Sequence, residues 1–337
     1  MRGILVGLGG RAKSWFDTCN RNADVELVGF VEVSQARREK VVHDWNLPQD
    51  RVFDSFDAAV KAVEADFVCD VTPPAAHESI AMQAFDAGLH LIGEKPLSDT
   101  FEAARRMVSA AEKAGRTHVI TQNYRFGRTP RTAHRVLKEG VVGEPEQAVV
   151  GFYMPWAKAP GTHYVTMPYP LITDMGIHHF DMLRYVLNRE AVNVLAKTWN
   201  VSWGWHAGDA AHTAIFEFEG GLTVTHHALG ASVGKRSPWN GEWRIEGPLG
   251  SLTWEDDALY VTTNGAGPKG DSREQIPLDN PPIQGQDALL CEFVSAIREG
   301  REPECSSRDN IKSLAMVFAA IKSAKERRQV DIAEMFA

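Results

Sequence analysis

At 337 residues the chain is longer than one ordinary hydrophobic core, so two domains are expected. Its charged and apolar fractions are those of a globular protein, and a net charge of −8 with Lys and Arg scattered leaves no basic block to track a phosphate backbone, which argues against nucleic acid as a partner. Four distant cysteines (Cys19, Cys69, Cys291, Cys305) without a CxxC pair suit a reducing, cytoplasmic setting, no apolar run is long enough for a membrane, and a first strand at Gly3 leaves no room for a signal peptide.

Gly3-Ile4-Leu5-Val6 reads as a β-run feeding Gly7-Leu8-Gly9-Gly10-Arg11-Ala12, with a helix expected through Ser14-Trp15-Phe16. This is the G-x-G-x-x-A form of a dinucleotide-binding turn. Gly7 permits the sharp bend, Gly9 lets backbone approach a pyrophosphate, Ala12 keeps the helix close to the sheet, and free amides around Gly10 and Arg11 face phosphates. The motif alone is weak; its place between a strand and a helix gives it weight.

A second strand over 27–31 ends at Glu32, roughly 20 positions beyond Ala12, where a carboxylate accepts ribose hydroxyls and repels a 2′-phosphate. NAD is therefore expected as cofactor. Arg37 and Arg38 keep NADP as the alternative, and Glu32 has the competing role of capping the next helix. Helices are expected over 36–45 and 56–63. A buried strand over 67–71 then ends in Thr72-Pro73-Pro74-Ala75-Ala76-His77. Prolines cannot continue a ladder, so Thr72, Pro73 and Pro74 make a stiff wall suited to a nicotinamide or its ribose. His77 opens the following helix either as a structural residue or as a cofactor contact.

Leu91-Ile92-Gly93-Glu94-Lys95-Pro96 is an apolar strand ending on a charged corner. Pro96 biases Lys95 toward an extended conformation, which aims the ammonium; the plain alternative is a surface pair of Lys95 with Glu94. A helix over 100–115 and a strand over 117–121 complete the βα alternation, and Asn123 and Arg125 project beyond it, Arg125 either to bind a polar ligand or to bridge two domains. Residues 1–122 are accordingly expected to form an α/β Rossmann domain with a doubly wound parallel sheet.

Residues 123–337 have another rhythm. After a helix over 131–139, strand-like runs at 147–153, 192–201, 212–217, 222–229, 242–246, 251–254 and 258–262 predict an α+β domain with one large, mainly antiparallel sheet; helices over 287–299 and 310–327 close the chain. In Asp174-Met175-Gly176-Ile177-His178-His179-Phe180-Asp181, Asp174 and His178 share a helical face and Asp181 lies one turn further. An imidazole takes a hydroxyl proton near neutral pH, and a neighbouring carboxylate or lysine orients and tunes it. The plain alternatives are a core histidine at His178 and a helix brace at Asp181. The aromatic stretch over 154–164, with Trp156, His163 and Tyr164 and with Tyr153 just before it, suits the rim of a sugar pocket, or ordinary loop packing. Trp203, Trp205 and His206 form a second such cluster, as a lid or a subunit contact. His226 and His227 alternate faces of a strand and make a poor metal pair, so no metal site is expected.

Gly7-x-Gly9-x-x-Ala12, Thr72-Pro73-Pro74-x-x-His77, Glu94-Lys95-Pro96 and Asp174-x-Gly176-x-His178-x-x-Asp181, in this order and spacing, resemble the Gfo/Idh/MocA oxidoreductase family, named for glucose-fructose oxidoreductase and inositol dehydrogenase. The resemblance covers nearly the whole chain and implies a Rossmann domain followed by an open-sheet domain through which members pair into homodimers or homotetramers. It further implies a catalytic set of Lys95, Asp174 and His178, with His178 as acid/base, Lys95 polarising the reacting oxygen, and Glu94 steadying that lysine or touching the cofactor. One local departure is Trp15, where many members carry histidine. The expected activity is NAD-dependent oxidation of a secondary alcohol of a sugar, cyclitol or related polyol, or reduction of the matching ketone. The alternatives are transient oxidation that permits elimination from a glycoside, and a non-catalytic NAD-binding regulator.

Overall fold

The computed structural model describes residues 1–156, 163–263 and 272–337, and the chain divides into two units, Met1–Asn123 with Ile283–Ile311 and Tyr124–Pro282 with Lys312–Ala337. Among the described residues no helix is long and apolar enough to cross a membrane, and no group of three or more His, Cys, Asp or Glu side chains could hold a metal ion.

In the first unit, strands β1 (Arg2–Val6), β2 (Glu26–Val31), β3 (Val52–Phe53), β4 (Phe67–Asp70), β5 (His90–Gly93) and β6 (His118–Ile120) alternate with helices α1 (Ala12–Arg21), α2 (Gln35–Asp44), α3 (Phe56–Ala62), α4 (Pro74–Asp86) and α5 (Phe101–Ala114). The strands pair in parallel in the order β3-β2-β1-β4-β5-β6, which reverses direction between β1 and β4. Helices cover both faces of such a sheet, so Phe67, Val68, Cys69, Leu91 and Ile92 are all buried and their strands are apolar without alternation. The helices start where the sequence supplies caps: Ser34, Ser55 and Thr100 each accept an amide of the first turn, and Pro74 occupies the first turn of α4. The chain returns to this unit at 283–311. There the helix Gly285–Glu299 packs Phe293 edge-on against Phe67 at 5.5 Å, and the Ile120 amide donates to the Cys305 carbonyl at 2.9 Å.

The second unit carries α6 (Arg128–Lys138), α7 (Ile177–Leu187) and strands β7 (Gln147–Tyr153), β8 (Ala191–Trp199), β9 (Ala211–Phe218), β10 (Thr223–Leu229), β11 (Glu242–Gly247), β12 (Gly250–Glu255), β13 (Ala258–Thr263), β14 (Ser272–Ile276) and β15 (Val330–Asp331). These nine strands form one sheet, ordered β14-β13-β12-β11-β7-β10-β9-β8-β15, antiparallel throughout except for β7 beside β10. Their burial alternates: Val150, Phe152, Phe216, Val224, Trp243 and Trp254 face inward, whereas Leu195, Ile215, Val149 and Arg244 lie on the opposite face. Helix α7 packs on the inner face, with Phe180 edge-on to Phe216 at 4.9 Å.

Three buried histidines tie α7 to that face. His212 Nε2 lies 2.9 Å from His226 Nδ1, His226 Nε2 lies 3.0 Å from His179 Nδ1, and His179 Nε2 lies 2.9 Å from the Trp239 carbonyl. The carbonyl can only accept, so His179 donates from Nε2 and accepts at Nδ1; the same logic assigns His226 and His212 as Nε2 donors. In this order three neutral rings satisfy every bond of the chain. Burial lowers the pKa of His179 to about 4 and that of His212 to about 3, neighbouring histidines adding to the effect at His212, and it lowers His226 in the same direction.

These shifts predict acid sensitivity with a definite sign. The unfolded chain titrates its imidazoles near 6.5, so between pH 6.5 and about 4 it binds protons that the folded unit refuses. Stability is thus full above pH 6.5 and falls with pH below it, by up to about 1.4 kcal/mol per pH unit for each imidazole. Denaturant midpoints measured from pH 7 to pH 5 should decline steadily; a midpoint constant over that range would mean that the folded histidines still titrate normally.

Candidate functional site

The first unit gathers its candidate residues where β1, β2, β4 and β5 end. Gly7 has φ +83° and an added Cβ would come within 2.9 Å of the backbone of Val71 and Thr72, so only glycine fits this bend. Added Cβ atoms at Gly9 and Gly10 would meet nothing within 4 Å, which leaves open space over the loop, and Ala12 is fully buried at the start of α1. The amides of Gly9, Gly10 and Arg11 donate to no protein group among the described residues. A bend that demands glycine, an open loop surface and uncommitted amides at a helix start fit the pyrophosphate of a dinucleotide.

At the end of β2 the Glu32 carboxylate accepts the Leu8 amide at one oxygen and the Ser34 amide at the other, both at 3.0 Å. It therefore joins the glycine loop to the start of α2. Arg38 Nη1 donates to the carbonyls of Glu32 and Val33 at 2.6 and 2.9 Å, while Arg37 is exposed.

The corners after β4 and β5 are stitched to each other. His77, on α4 and 2% exposed, has Nδ1 3.0 Å from the Pro96 carbonyl and 3.4 Å from that of Leu97, and Nε2 3.0 Å from the Thr72 carbonyl. Both nitrogens face backbone carbonyls, so the ring lies between the Thr72-Pro73-Pro74 wall and the Glu94-Lys95-Pro96 corner. Thr72 is fixed further by Asp70, whose Oδ1 accepts its amide at 3.0 Å and its hydroxyl at 2.7 Å; burial raises the pKa of this carboxyl. Thr121 binds the Gly93 carbonyl through both amide and hydroxyl, at 2.9 and 2.7 Å, just before Glu94.

Glu94 is 7% exposed and accepts the Trp15 indole N–H at 2.8 Å, with the Arg11 guanidinium at 3.6 Å. The tryptophan thus holds the acid beside Lys95 from the base of α1. Lys95 is half-buried, the Lys95–Pro96 peptide is cis, and Asn123 is half-buried in the 3-10 turn Asn123–Phe126 after β6.

In the second unit α7 is preceded by a π-helical turn, Leu171–Gly176, which contains half-buried Asp174. The sequence pattern suggested a regular helix here; the wider turn is accommodated at Gly176, where a Cβ would press to 3.1 Å from the Leu171 carbonyl. Asp174 and His178 still stand four residues apart, one turn along continuous right-handed backbone. His178 is 5% exposed and stacks on Tyr124, with centroids 4.1 Å apart and planes 4° from parallel.

Tyr124 and Tyr164 pack against the cluster of Phe152, Trp156, Leu171, Met175 and Ala228, and Trp156 meets Tyr164 edge-on at 4.6 Å. His178, Trp156 and Tyr164 are therefore brought to one neighbourhood. Tyr153 is not: it points to the other face of the sheet, beside His227 at 5.5 Å. His163 opens the short turn His163–Val165, but its side chain, like residues 157–162 of the expected rim, lies outside the described residues. Trp205 and Trp203 donate their indole N–H groups to the carbonyls of Trp156 and Ala231, both at 3.0 Å, which draws their loop onto the same neighbourhood.

Arg125 is buried and grips Asp181 with two bonds of 2.5 and 2.6 Å, and Asp181 also accepts the Ser313 hydroxyl at 2.9 Å. Of the two roles open to Arg125 in the sequence, ligand contact or bridge, this geometry engages the guanidinium internally and makes Asp181 a brace of α7.

The hold on Glu94 is testable by removing one donor. Trp15→Phe keeps the ring but strands a buried acceptor, and should cost the first unit about 1–3 kcal/mol in a denaturant titration. Trp15→His, which restores a ring N–H, should recover part of the loss, and a Phe variant with an unshifted midpoint would show the bond to be dispensable.

Comparison with known proteins supplies the lineage. Residues 1–122 match the model described as oxidoreductase family, NAD-binding Rossmann fold, and residues 130–253 match the GFO/IDH/MocA C-terminal domain. The chain is 27% identical to an inositol 2-dehydrogenase of Rhizobium meliloti, over 98% of both chains, and 26% identical to a D-apiose dehydrogenase of Paraburkholderia graminis, over 98% of this chain and 89% of that one. In fold it is similar to an oxidoreductase from Agrobacterium radiobacter solved with NAD+, L-tartaric acid and magnesium, with a TM-score of 0.88 at 22% identity over 99% of each chain. A six-stranded parallel sheet with a glycine-bend phosphate loop, followed by a nine-stranded mixed sheet, agrees with both matches, and the chain belongs to the GFO/IDH/MocA family of NAD(P)-dependent oxidoreductases.

Proposed function

We propose that the protein oxidises a secondary alcohol of a sugar, cyclitol or related polyol, or reduces the matching ketone, with Lys95, Asp174 and His178 as the reacting groups. The observation that carries this reading is the setting of His178: an imidazole stacked on Tyr124, one turn from half-buried Asp174, in an aromatic neighbourhood with Trp156 and Tyr164. Aromatic faces pack on the C–H surface of a sugar while an imidazole handles its hydroxyl proton. The names of the relatives, an inositol and an apiose dehydrogenase aligned along nearly the whole chain, support the same substrate class.

Bound nicotinamide supplies the hydride acceptor or donor. The chain's own residues divide the remaining work. His178 takes the hydroxyl proton at a ring nitrogen, Asp174 orients that ring and the substrate, and the Lys95 ammonium stabilises alkoxide character on the reacting oxygen. Gly7, Gly9, Gly10, Arg11 and Ala12 receive the pyrophosphate, Thr72, Pro73 and Pro74 wall the ring or its ribose, and Asn123 adds a polar edge. Glu94 and His77 act chiefly by fixing the Lys95 corner. Arg125 serves as a brace, Trp156, Tyr164 and His163 line the substrate side, and we leave Tyr153 outside the pocket because it points to the opposite sheet face.

NAD is favoured over NADP. Each Glu32 oxygen accepts one amide and keeps a lone pair for a ribose hydroxyl, while Arg38 is turned onto backbone carbonyls. We further propose that a second copy covers the outer sheet face, where Val192, Leu195 and Ile215 are each more than 40% exposed on β8 and β9, and that the enzyme works in the cytoplasm, where its four free thiols stay reduced.

A screen of polyols, sugars and glycosides with NAD and NADP, read by absorbance of the reduced cofactor and by product chromatography, tests the activity. Accumulating NADH with a polyol supports it; bond cleavage without net NADH, or no turnover with the whole set, refutes it. Lys95→Ala should abolish turnover with dinucleotide affinity largely intact, and retained turnover would remove this lysine from the mechanism. Glu32→Ala should narrow the preference for NAD over NADP about tenfold, on the loss of roughly one hydrogen bond's worth of discrimination; an unchanged ratio would assign ribose recognition elsewhere.

A further inference from the structure

We propose that Tyr124 is a positioning residue that fixes the plane of the His178 imidazole and favours its protonated form, with the Arg125–Asp181 pair keeping the stack in register. This rests on the reading of His178 as the acid/base group. The contact is face to face, 4.1 Å between centroids and 4° between planes. A phenol ring presents negative charge on its face, so it attracts an imidazolium more than a neutral imidazole. The same contact resists rotation of the histidine ring, because turning it would lift one face from the other. The nitrogens are then held in one plane, and so is the line along which a hydroxyl proton is passed.

The stack is anchored by the neighbouring residue. Tyr124 and Arg125 are consecutive in the Asn123–Phe126 turn, while His178 and Asp181 lie three apart on α7 and so share a face. One turn thus grips the helix twice, by ring contact and by two charge-assisted hydrogen bonds of 2.5 and 2.6 Å. The charged groups on these elements are Asp174 before His178, and Asp181 and Arg184 after it, together with Arg125. Asp181 is balanced by Arg125, and Arg184 by Glu190 with bonds of 2.6 and 2.9 Å. The Asp174 carboxylate and the Tyr124 face both carry fields that favour an imidazolium at His178. His179, the next residue, turns away into the neutral histidine chain.

The test separates ring face, hydroxyl and catalysis. Tyr124→Phe keeps the face and should stay within about twofold of native kcat; Tyr124→Leu removes it and should lower kcat roughly tenfold with KM little changed. The acid limb of kcat/KM should move down by about half a pH unit in the Leu variant and stay in place in the Phe variant. Titration of the His178 ring by NMR in the full chain, which needs no turnover, should show the same displacement. Pentafluorophenylalanine at position 124 retains the ring shape and reverses the charge on its face, so it covers the case in which the Leu variant fails to fold; it too should lower the midpoint. A midpoint unmoved by the Leu and pentafluoro variants overturns the proposal, as does a Phe variant as impaired as Leu, which would assign the effect to the hydroxyl. If His178→Asn retains turnover, the acid/base reading falls by itself, whereas the NMR midpoint still decides the stack.

Discussion

A helix enclosed on nearly every side can keep polar side chains only where each finds a partner, and α7 is such a helix. From Ile177 to Arg184 every residue is buried, yet the stretch carries His178, His179, Asp181 and Arg184. A buried charge left alone costs several kcal/mol, so the second unit is arranged to meet these groups. Arg125 comes to Asp181 from the turn before α6. Ser313 binds both Asp181 and Arg184, and Glu190 closes the network by taking Arg184 and Lys312. His226 reaches His179 from β10, and Tyr124 lies against His178. The helix is thereby fixed in rotation as well as in position, because slipping it by one residue would break all of these pairings together.

The first unit solves a different problem with the same economy of means. Parallel strands deliver their ends to one edge, but strand ends are also where backbone ceases to be restrained by the ladder. His77 and Thr121 replace the missing ladder bonds by tying carbonyls of the β4 and β5 corners, and Glu32 does the same between the glycine loop and α2. Trp15 then holds Glu94, the residue before Lys95, from a helix whose start adjoins the glycine loop. A side chain on a strand-end corner is aimed only as well as the backbone beneath it is fixed. Backbone carbonyls and a buried indole provide that fixity.

What could be read in the sequence follows the reach of its signals. Strands with one-sided burial alternate visibly, and β7, β9, β10 and β11 lie within a residue or so of their expected spans. Two-sided burial marked β4 and β5 just as well, and the glycine turn was legible because Gly7 must bend where only glycine can. The strands without such a signal went unread: β3 and β15 have two residues each, and β14, Ser272–Ile276, is a nearly fully exposed edge of mostly polar residues. Pairings across long sequence separation were equally silent. Trp15 and Glu94 are 79 positions apart, and Arg125 and Asp181 are 56 apart. Nothing local in Asp174-Met175-Gly176 distinguishes a π turn from an α turn, since the difference lies in how tightly Gly176 can pass Leu171.

Adjacent residues His178 and His179 show how one helix can set a single residue type in opposite surroundings. A step of one residue turns the side chain by about 100°, enough to move it from one wall of the unit to another. His179 enters a wall of imidazoles and a carbonyl, where desolvation favours a neutral ring. His178 instead lies flat against the face of a phenol. A proton arriving at Nδ1 of His179 would force the donor–acceptor order of the next two rings to reverse. The neutral triad therefore joins helix to sheet without placing a buried charge on the residue next to His178 above about pH 4.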